Sequence, residues 1–262
     1  MIGRSPHKAP KRRADQLLFE QGLAESRARA QALILAGLVS GGGGRRIEKP
    51  GEQLAADSSL IVAGRDHPWV SRGGVKLAHA LDHFGIEVDD KLALDVGAST
   101  GGFTEVLLSH GAKRVYAVDV GHGQLAWKLR QDPRVIVHER LNARYLTRAD
   151  IPEPVDMVTC DVSFIGLATV LPAPLALAAQ SAALIALVKP QFEAGRDFVG
   201  KGGVVRDPAV QREVCERAAA WVMAQPGWTV VGTVESPILG PEGNREFLLY
   251  ARRSGQAQEQ SQ

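Results

Sequence analysis

The sequence predicts an α/β protein with a doubly wound, mostly parallel sheet and one antiparallel edge strand, preceded by a small α+β domain. Three observations predict this fold. From residue 76 onward, short apolar runs alternate with segments of helical spacing, which is typical of strands joined by helices. The last two apolar runs are separated only by a turn-rich link, which indicates a hairpin. Residues 13–64 have another pattern, two short helices followed by short strands.

The composition is that of a globular protein. The chain has 262 residues, of which 45% are hydrophobic and 23% charged, and this excludes a disordered or fibrous protein. Its two cysteines, Cys160 and Cys215, are too few for a disulfide scaffold and favour a reducing compartment. No apolar stretch follows the basic start, so we expect no signal peptide and a cytoplasmic location.

The charge is unevenly distributed along the chain. Residues 1–76 hold 13 Lys/Arg and 7 Asp/Glu, a net charge of +6. The remaining residues hold 18 and 22, a net charge of −4. A basic front joined to a mildly acidic body favours contact between the front and a polyanion. A solvated basic tail at residues 1–12, which we expect to be flexible, is the alternative explanation.

The front domain is predicted from its helical spacing and its turns. Residues 14–36 form two short helices that end at Gly22 and Gly37, residues 41–52 form a turn-rich hairpin, and SSLIVAG forms a strand. RADQLL, GLAESRARAQALILAGLV and KPGE resemble the RNA-binding domain named after ribosomal protein S-four, over residues 13–64. The resemblance implies that the helix bearing Arg27 and Arg29 docks on structured RNA. The four glycines at 41–44 depart from the family's usual hairpin.

The large domain, residues 76–253, follows a junction that we predict as a linker over residues 65–75. In that junction Trp69 either pins the two domains together or packs on the large core. Residues 254–262 are polar, and we expect a disordered tail. The predicted strands are LALDVG, RVYAVDV, VIVHE, DMVTCDV, ALIALV, TVVGTVE and EFLLYARR. The predicted helices are VKLAHALDHF, GFTEVLLSH, GQLAWKLR, FIGLATVL and residues 208–224.

One uncharged stretch, residues 164–188, is long enough to span a bilayer. Pro172 and Pro174 interrupt its first half, and Gln180 and Ser181 lie in its middle. We therefore interpret it as a buried helix, a break and a buried strand, and we expect no membrane association.

A glycine-rich turn between the first strand of the large domain and its helix predicts a cofactor site. Its sequence, DVGASTGGF at residues 95–103, lets the backbone approach a ligand at the carboxyl edge of the sheet. Asp119 ends the second strand, where an acid suits ribose hydroxyls. The spacing matches neither a dinucleotide turn nor a triphosphate loop, so a nucleoside cofactor of another kind is indicated. A turn without a ligand is the alternative.

The turn resembles motif one of S-adenosylmethionine-dependent methyltransferases. The resemblance implies S-adenosyl-L-methionine as the cofactor, and Asn142 lies where such enzymes often contact adenine. A loop Asn that satisfies its own backbone is the alternative for Asn142. The predicted cofactor residues are Asp95, Gly97, Ala98, Ser99, Thr100, Gly101, Gly102, Phe103, Asp119, Asn142 and Asp161.

Polar residues at the strand ends predict the reacting groups. Asp161 ends MVTCDV, and Lys189 follows six apolar residues, which partly desolvates its amine and favours a general base. With Lys76 and Glu246 they resemble the Lys-Asp-Lys-Glu tetrad of FtsJ-class ribose 2′-O-methyltransferases. Motifs such as SRGGVKL, LVKPQFE, GGVVRDP and GPEGNREF resemble the TlyA (hemolysin A-like) ribosomal RNA methyltransferases over nearly the whole chain. That resemblance implies 2′-O-methylation of ribosomal RNA, typically at cytidine.

Other functions fit the residues less well. Enzymes that methylate an exocyclic amine typically have two prolines in the motif that corresponds to Asp161-Val-Ser-Phe164, which lacks both. Enzymes that methylate C5 of a pyrimidine use a cysteine nucleophile usually followed by proline, and no proline follows Cys160. A non-catalytic RNA-binding assembly factor would have lost the glycine turn or the lysines. A membrane-lytic protein needs an unbroken apolar or amphipathic segment, whereas prolines interrupt the long apolar run of this chain. A pseudouridine synthase would lack a cofactor turn, which this chain has.

The expected partners are ribosomal RNA or ribosomal subunits, with no protein partner and no metal. The glycine-rich loop at residues 195–208 either closes over RNA or is a plain surface connection. The residues predicted to contact RNA are Arg13, Arg27, Arg29, Arg45, Arg46, Arg72, Arg196, Lys201 and Arg206.

Overall fold

The computed structural model describes residues 10–24, 26–35, 37–63 and 67–255, without the side chains of Arg196 and Pro241. The front domain contains two helices and four short strands among these residues. They are β1 (Lys11–Arg13), α1 (Ala14–Glu20), α2 (Arg27–Leu35), β2 (Val39–Gly41), β3 (Gln53–Ala55) and β4 (Leu60–Val62). A separate apolar core, which includes Leu17, Leu18 and Ile34, holds this domain together.

The strand pairing of the front domain differs from the prediction at one point. β1 pairs antiparallel with β3, so Lys11 and Arg12 belong to a strand and not to a flexible tail. Residues 1–9 of the predicted tail lie outside the described residues. β2 pairs antiparallel with β4, and it also bonds to the chain that directly follows it. The Gly41 nitrogen donates to the Arg45 carbonyl (2.7 Å) and the Ile47 nitrogen to the Val39 carbonyl (2.9 Å), as the predicted hairpin requires. A three-residue strand such as β1 carries no periodic signal.

The large domain contains the predicted alternation of strands and helices. Its helices are α3 (Gly73–Phe84), α4 (Gly102–Ser109), α5 (Trp127–Arg130), α6 (Leu167–Val170), α7 (Pro172–Ala176), α8 (Pro190–Glu193) and α9 (Pro208–Met223). Its strands are β5 (Leu92–Val96), β6 (Arg114–Asp119), β7 (Val135–Glu139), β8 (Val155–Cys160), β9 (Ala178–Val188), β10 (Trp228–Glu235) and β11 (Phe247–Arg253).

The strands form one sheet, which among the described residues has the order β10-β11-β9-β8-β5-β6-β7. The pairings β9-β8-β5-β6-β7 are parallel, whereas β11 is antiparallel to both of its neighbours. The predicted fold is confirmed, with the antiparallel strand one position in from the edge. Helices pack an apolar core on each face of the sheet. The carboxyl ends of β5, β6, β8 and β9 therefore meet at one edge, where a doubly wound sheet binds its ligand.

Some element bounds differ from the prediction. α3 begins at Gly73, inside the predicted linker, and α5 is shorter than predicted because residues 123–126 precede its first turn. Trp69 packs on the core of the large domain. In the stretch at residues 164–188 the chain forms α6, α7 and β9. Within the residues described here, no helix has both the length and the apolar character of a membrane span.

Candidate active site

The glycine-rich turn follows β5 and is tightly packed at its first and last glycines. Gly97 has a φ of 82°, and a Cβ on it would lie 2.7 Å from the carbonyl oxygen of Asp161. A Cβ on Gly102 would lie 2.2 Å from the Ser71 hydroxyl and 2.8 Å from the Gly74 nitrogen. No other residue type fits at these two positions without displacing the backbone. The turn therefore brings the chain before α3 and the end of β8 into contact with the start of α4.

A cavity of about 700 Å³ opens over this turn. Its walls come from the turn, the ends of β8 and β9, the start of α3, the loop before β11 and one residue of the front domain. The lining residues are Phe19, Ser71, Arg72, Gly73, Lys76, Gly97, Ala98, Ser99, Thr100, Gly102, Phe103, Gln124, Asp161, Ser163, Lys189, Ile238, Leu239 and Gly240. This volume is in the range of cofactor sites. Most of the predicted cofactor residues and three of the four predicted reacting residues line it.

Two of the acids predicted to bind the cofactor, Asp95 and Asp119, do not line this cavity. Asp95 is completely buried, and its carboxylate accepts hydrogen bonds from the hydroxyls of Thr104 (2.7 Å) and Thr159 (3.0 Å). Burial raises the pKa of Asp95 to about 6. Asp119 accepts from the backbone nitrogens of Ser99 (2.8 Å) and Gly121 (2.6 Å) and lines a smaller adjoining cavity. Asp95 therefore supports the turn from below, and Asp119 fixes the backbone of the turn from the end of β6.

Gly101 and Asn142 also lie outside the lining of the large cavity. Gly101 has a φ of 97°, and a Cβ there would lie 2.2 Å from Leu129, so this glycine is needed where the turn packs on α5. Asn142 is exposed, and its side-chain oxygen accepts from the Arg144 nitrogen at 3.1 Å, as a loop Asn that caps its own turn does. Neither residue is among those that line the large cavity.

The four predicted reacting residues form two ion pairs. Lys189 Nζ lies 2.6 Å from Asp161 Oδ1, and Lys76 Nζ lies 2.5 Å from Glu246 Oε2. The side chains of both lysines are more than nine-tenths buried, and Glu246 has no exposed surface. Asp161 is 20% exposed, so the first pair opens to the cavity. Topology explains this meeting: β8, β9 and β11 are neighbours, and α3 delivers Lys76 to the same edge.

Sequence reasoning missed several residues around these pairs. Ser163 accepts a hydrogen bond from Lys189 Nζ at 3.0 Å, and the alternation Asp161-Val162-Ser163 is a signal that could have found it. Gln124 accepts from the Ser99 hydroxyl at 3.2 Å. Phe19 reaches the cavity from the front domain. No local pattern predicts this last contact because it depends on how the two domains pack.

The two cysteines are poor nucleophiles in this environment. Cys160 is completely buried at the end of β8, and burial raises the pKa of its thiol well above the usual range. Burial raises the pKa of Cys215, on α9, to about 12. A mechanism through a cysteine nucleophile is therefore disfavoured, as the sequence predicts.

Several arginines predicted to contact RNA also make contacts inside the front domain. The carboxylate of Asp15 is completely buried and pairs with Arg13 at 2.9 Å and with Arg27 at 3.4 Å. The hydrogen bond from Arg13 holds the pKa of Asp15 well below its usual range. Arg45 pairs with Glu52 at 2.5 Å. These arginines keep exposed surface but also stabilise the fold of the domain.

The remaining predicted RNA contacts lie on the surface near the cavity or on loops. Arg29 and Arg72 line a second cavity of about 250 Å³, which lies between the two domains and shares Ser71, Arg72 and Thr100 with the first. Arg45 and Arg46 line a surface depression of about 760 Å³ in the front domain. Lys201 and Arg206 are exposed, and the side chain of Arg196 lies outside the described part of the chain.

The donors and the shape of the cavity fit S-adenosylmethionine. The glycine turn offers close backbone approach, and the cavity joins that turn to the ion pair of Asp161 and Lys189. Among the described residues, no three His, Cys, Asp or Glu side chains come together as a metal site would require. The fold and this site define a Rossmann-like methyltransferase.

Comparison with known proteins shows to which family of methyltransferases the chain belongs. The family model described as FtsJ-like methyltransferase matches residues 69–253. A Mycobacterium tuberculosis protein named 16S/23S rRNA (cytidine-2'-O)-methyltransferase TlyA is 50% identical over 93% of this chain and 91% of its own length. A structure from Streptococcus thermophilus assigned as a hemolysin is 45% identical, covers 94% of this chain and 89% of its own, and superposes with a TM-score of 0.71. The chain therefore belongs to the TlyA group of the FtsJ-like methyltransferase family.

A more distant structure shares the fold. An O-methyltransferase from Bacillus cereus, solved in complex with S-adenosylhomocysteine, superposes with a TM-score of 0.50 at 18% identity. It covers 70% of this chain and 82% of its own.

Proposed function

We propose that this protein transfers a methyl group from S-adenosylmethionine to a ribose 2′-hydroxyl of ribosomal RNA, at cytidine. The observation that carries the proposal is the Lys189–Asp161 ion pair, 2.6 Å long and open to the cavity that the glycine turn lines. The M. tuberculosis relative is named for cytidine-2'-O methylation of ribosomal RNA, which supports the same substrate here. Since the site retains the glycine turn and both lysines, a degenerate assembly factor is disfavoured.

Lys189 is the group that takes the proton of the ribose hydroxyl in this proposal. When bound, S-adenosylmethionine supplies an electrophilic methyl group on a sulfonium. Lys189 is protonated in the resting ion pair, so in this proposal it first releases that proton to solvent through the cavity. Its amine then takes the proton of the hydroxyl as the ribose oxygen attacks the methyl group, with S-adenosylhomocysteine as the leaving group. The carboxylate of Asp161 and the hydroxyl of Ser163 then hold the ammonium that forms, at 2.6 Å and 3.0 Å. The ammonium of Lys189 is therefore stabilised without rearrangement of the protein.

The second ion pair holds the site in place. Lys76 lines the cavity, whereas Glu246 is completely buried behind it. Their ion pair fixes the start of α3 to the start of β11. One wall of the cavity depends on this attachment. We assign Lys76 to positioning of the ribose and Glu246 to the orientation of Lys76.

The front domain, residues 13–64, anchors the RNA in this proposal. Arg29 and Arg72 lie where the two domains meet, next to the cavity, so a phosphate near the target ribose can contact both. Arg45 and Arg46 extend the basic surface away from the site. A ribosomal substrate also places the protein in the cytoplasm.

Transfer of labelled methyl groups tests the proposal. Purified protein is incubated with methyl-labelled S-adenosylmethionine and with separated ribosomal subunits or naked ribosomal RNA from cells that lack the gene. We expect label on RNA with the wild type, and none above background with Lys189→Ala. Lys113→Ala, an exposed lysine at the opposite edge of the sheet, is the matched control and keeps wild-type transfer. Undiminished transfer by Lys189→Ala would remove Lys189 from the mechanism. Cofactor binding without label on any of these RNAs would contradict ribosomal RNA as the substrate.

A further inference from the structure

The carboxylate of Glu246 is held by more groups than its ion pair with Lys76. Its Oε2 atom faces Lys76 Nζ at 2.5 Å, and its Oε1 atom lies 3.5 Å from the side-chain nitrogen of Gln191. A Cβ on Gly240 would lie 2.2 Å from Oε1, so the carboxylate rests directly on the backbone of the loop before β11. Each oxygen of this buried carboxylate therefore has a defined neighbour.

The amide of Gln191 has only one orientation that suits a carboxylate. Its NH₂ group can donate to Glu246, whereas its carbonyl oxygen would repel it. In this orientation the carbonyl oxygen Oε1 of Gln191 is buried, and among the described residues it has no hydrogen-bond partner. A buried carbonyl without a partner is destabilising, and an apolar side chain of the same length would avoid that penalty. The unpartnered carbonyl therefore offsets what the 3.5 Å contact with Glu246 adds, and the fold gains little net stability from a glutamine here.

The position of Gln191 in the chain suggests what the amide does. Lys189, Pro190 and Gln191 are consecutive, and α8 begins at Pro190. The same short segment thus carries the proposed base, paired with Asp161, and the amide that faces Glu246. Through Gln191 the Lys76–Glu246 pair is tied to the segment that carries Lys189.

We infer that Gln191 is a positioning residue for methyl transfer, which aligns the Lys76–Glu246 pair with Lys189. This inference rests on the proposed function. Because Gln191 is not among the residues that line the cavity, its loss should leave the binding of cofactor and RNA nearly unchanged. It should slow the chemical step, for which the two ion pairs must be in register.

Two variants and one control test the inference. Gln191→Met keeps the volume and removes both the donor and the unpartnered carbonyl. We expect kcat at saturating RNA and cofactor to fall about tenfold, as the loss of a hydrogen bond to a charged group implies. The KM for RNA should stay within about threefold of the wild-type value, because only the chemical step is affected. The melting temperature should be unchanged or higher. Gln191→Glu places a second carboxylate beside Glu246 and should lose more activity than Gln191→Met.

The control is Gln180→Met, a change at an exposed glutamine on β9, which should match the wild type in every readout. Wild-type turnover by Gln191→Met would overturn the inference. A fall in kcat with a matching fall in melting temperature would also overturn it, since that result indicates a merely structural role. An inactive wild type in the same assay would refute the proposed function itself, and the inference with it.

Discussion

Breaking the Lys76–Glu246 ion pair should destabilise the protein far more than removing a surface charge does. The side chains are 9% and 0% exposed, and the charged atoms are 2.5 Å apart. Lys76→Met leaves the carboxylate of Glu246 buried without a counter-charge, and Glu246→Gln leaves the ammonium of Lys76 in the same state. Removing one partner of a buried pair costs about 3–5 kcal/mol, whereas replacing both partners by neutral groups costs much less.

The double-mutant cycle gives the magnitude of this effect. We expect each single variant to lower the free energy of unfolding by about 3–5 kcal/mol. The loss in the double variant should be smaller than the sum of the two single losses by at least about 2 kcal/mol, which is the coupling energy of the pair. For a protein whose total stability is about 5–15 kcal/mol, a single change of this size is easily measured.

Urea unfolding followed by tryptophan fluorescence measures the four free energies by linear extrapolation. Lys113→Met, a change at an exposed lysine, is the control and should alter the stability by about 0.5 kcal/mol or less. A loss below about 1 kcal/mol in Lys76→Met, or strict additivity in the double variant, would refute the interpretation of this pair as buried and coupled.

Three further predictions follow from the site and the front domain. Because burial raises the pKa of Asp95 to about 6, the folded protein holds this proton more tightly than the unfolded chain. Wild-type stability should therefore fall as the pH rises from about 4 to about 6, by on the order of 3 kcal/mol, and Asp95→Asn should lack this fall in denaturation at pH 4.5 and 7.5. Gly240→Ala should displace the buried Glu246 carboxylate, whose Oε1 atom lies 2.2 Å from the new Cβ, and should lower both the melting temperature and kcat. Arg13→Ala should lower the melting temperature at pH 7. This difference should shrink below about pH 4, where Asp15 of the unfolded chain takes up a proton while the folded wild type keeps its carboxylate ionised. Equal melting at pH 7 would contradict a structural role for Arg13.

The sequence predicts the fold and the tetrad because both depend on strand ends. Asp161 and Lys189 each follow an apolar strand, and parallel strands bring their carboxyl ends to one edge. The pairing of Lys76 with Glu246 joins residues 170 positions apart, and no local pattern states which lysine meets which acid. That pairing comes from the order of the strands in the sheet.

The surroundings of several predicted residues depend on packing, which the sequence does not show. Asp95 begins the glycine-rich motif, yet it turns under the sheet edge to meet two threonine hydroxyls. Asn142 has the right position along the chain but bonds to its own turn. Lys11 and Arg12 belong to β1, although the sequence predicts a flexible tail there, because basic residues in so short a run carry no strand pattern and their partners lie some forty residues further along the chain.

The position of the transferred methyl group tests the central claim most directly. Ribosomal RNA labelled by the wild-type protein is digested to nucleosides, and the methylated product is identified by mass spectrometry. We predict 2′-O-methylcytidine, with the methyl group on the ribose, and no such product with Lys189→Ala. A methyl group on the base would contradict the assignment of Lys189 as the base that activates a ribose hydroxyl.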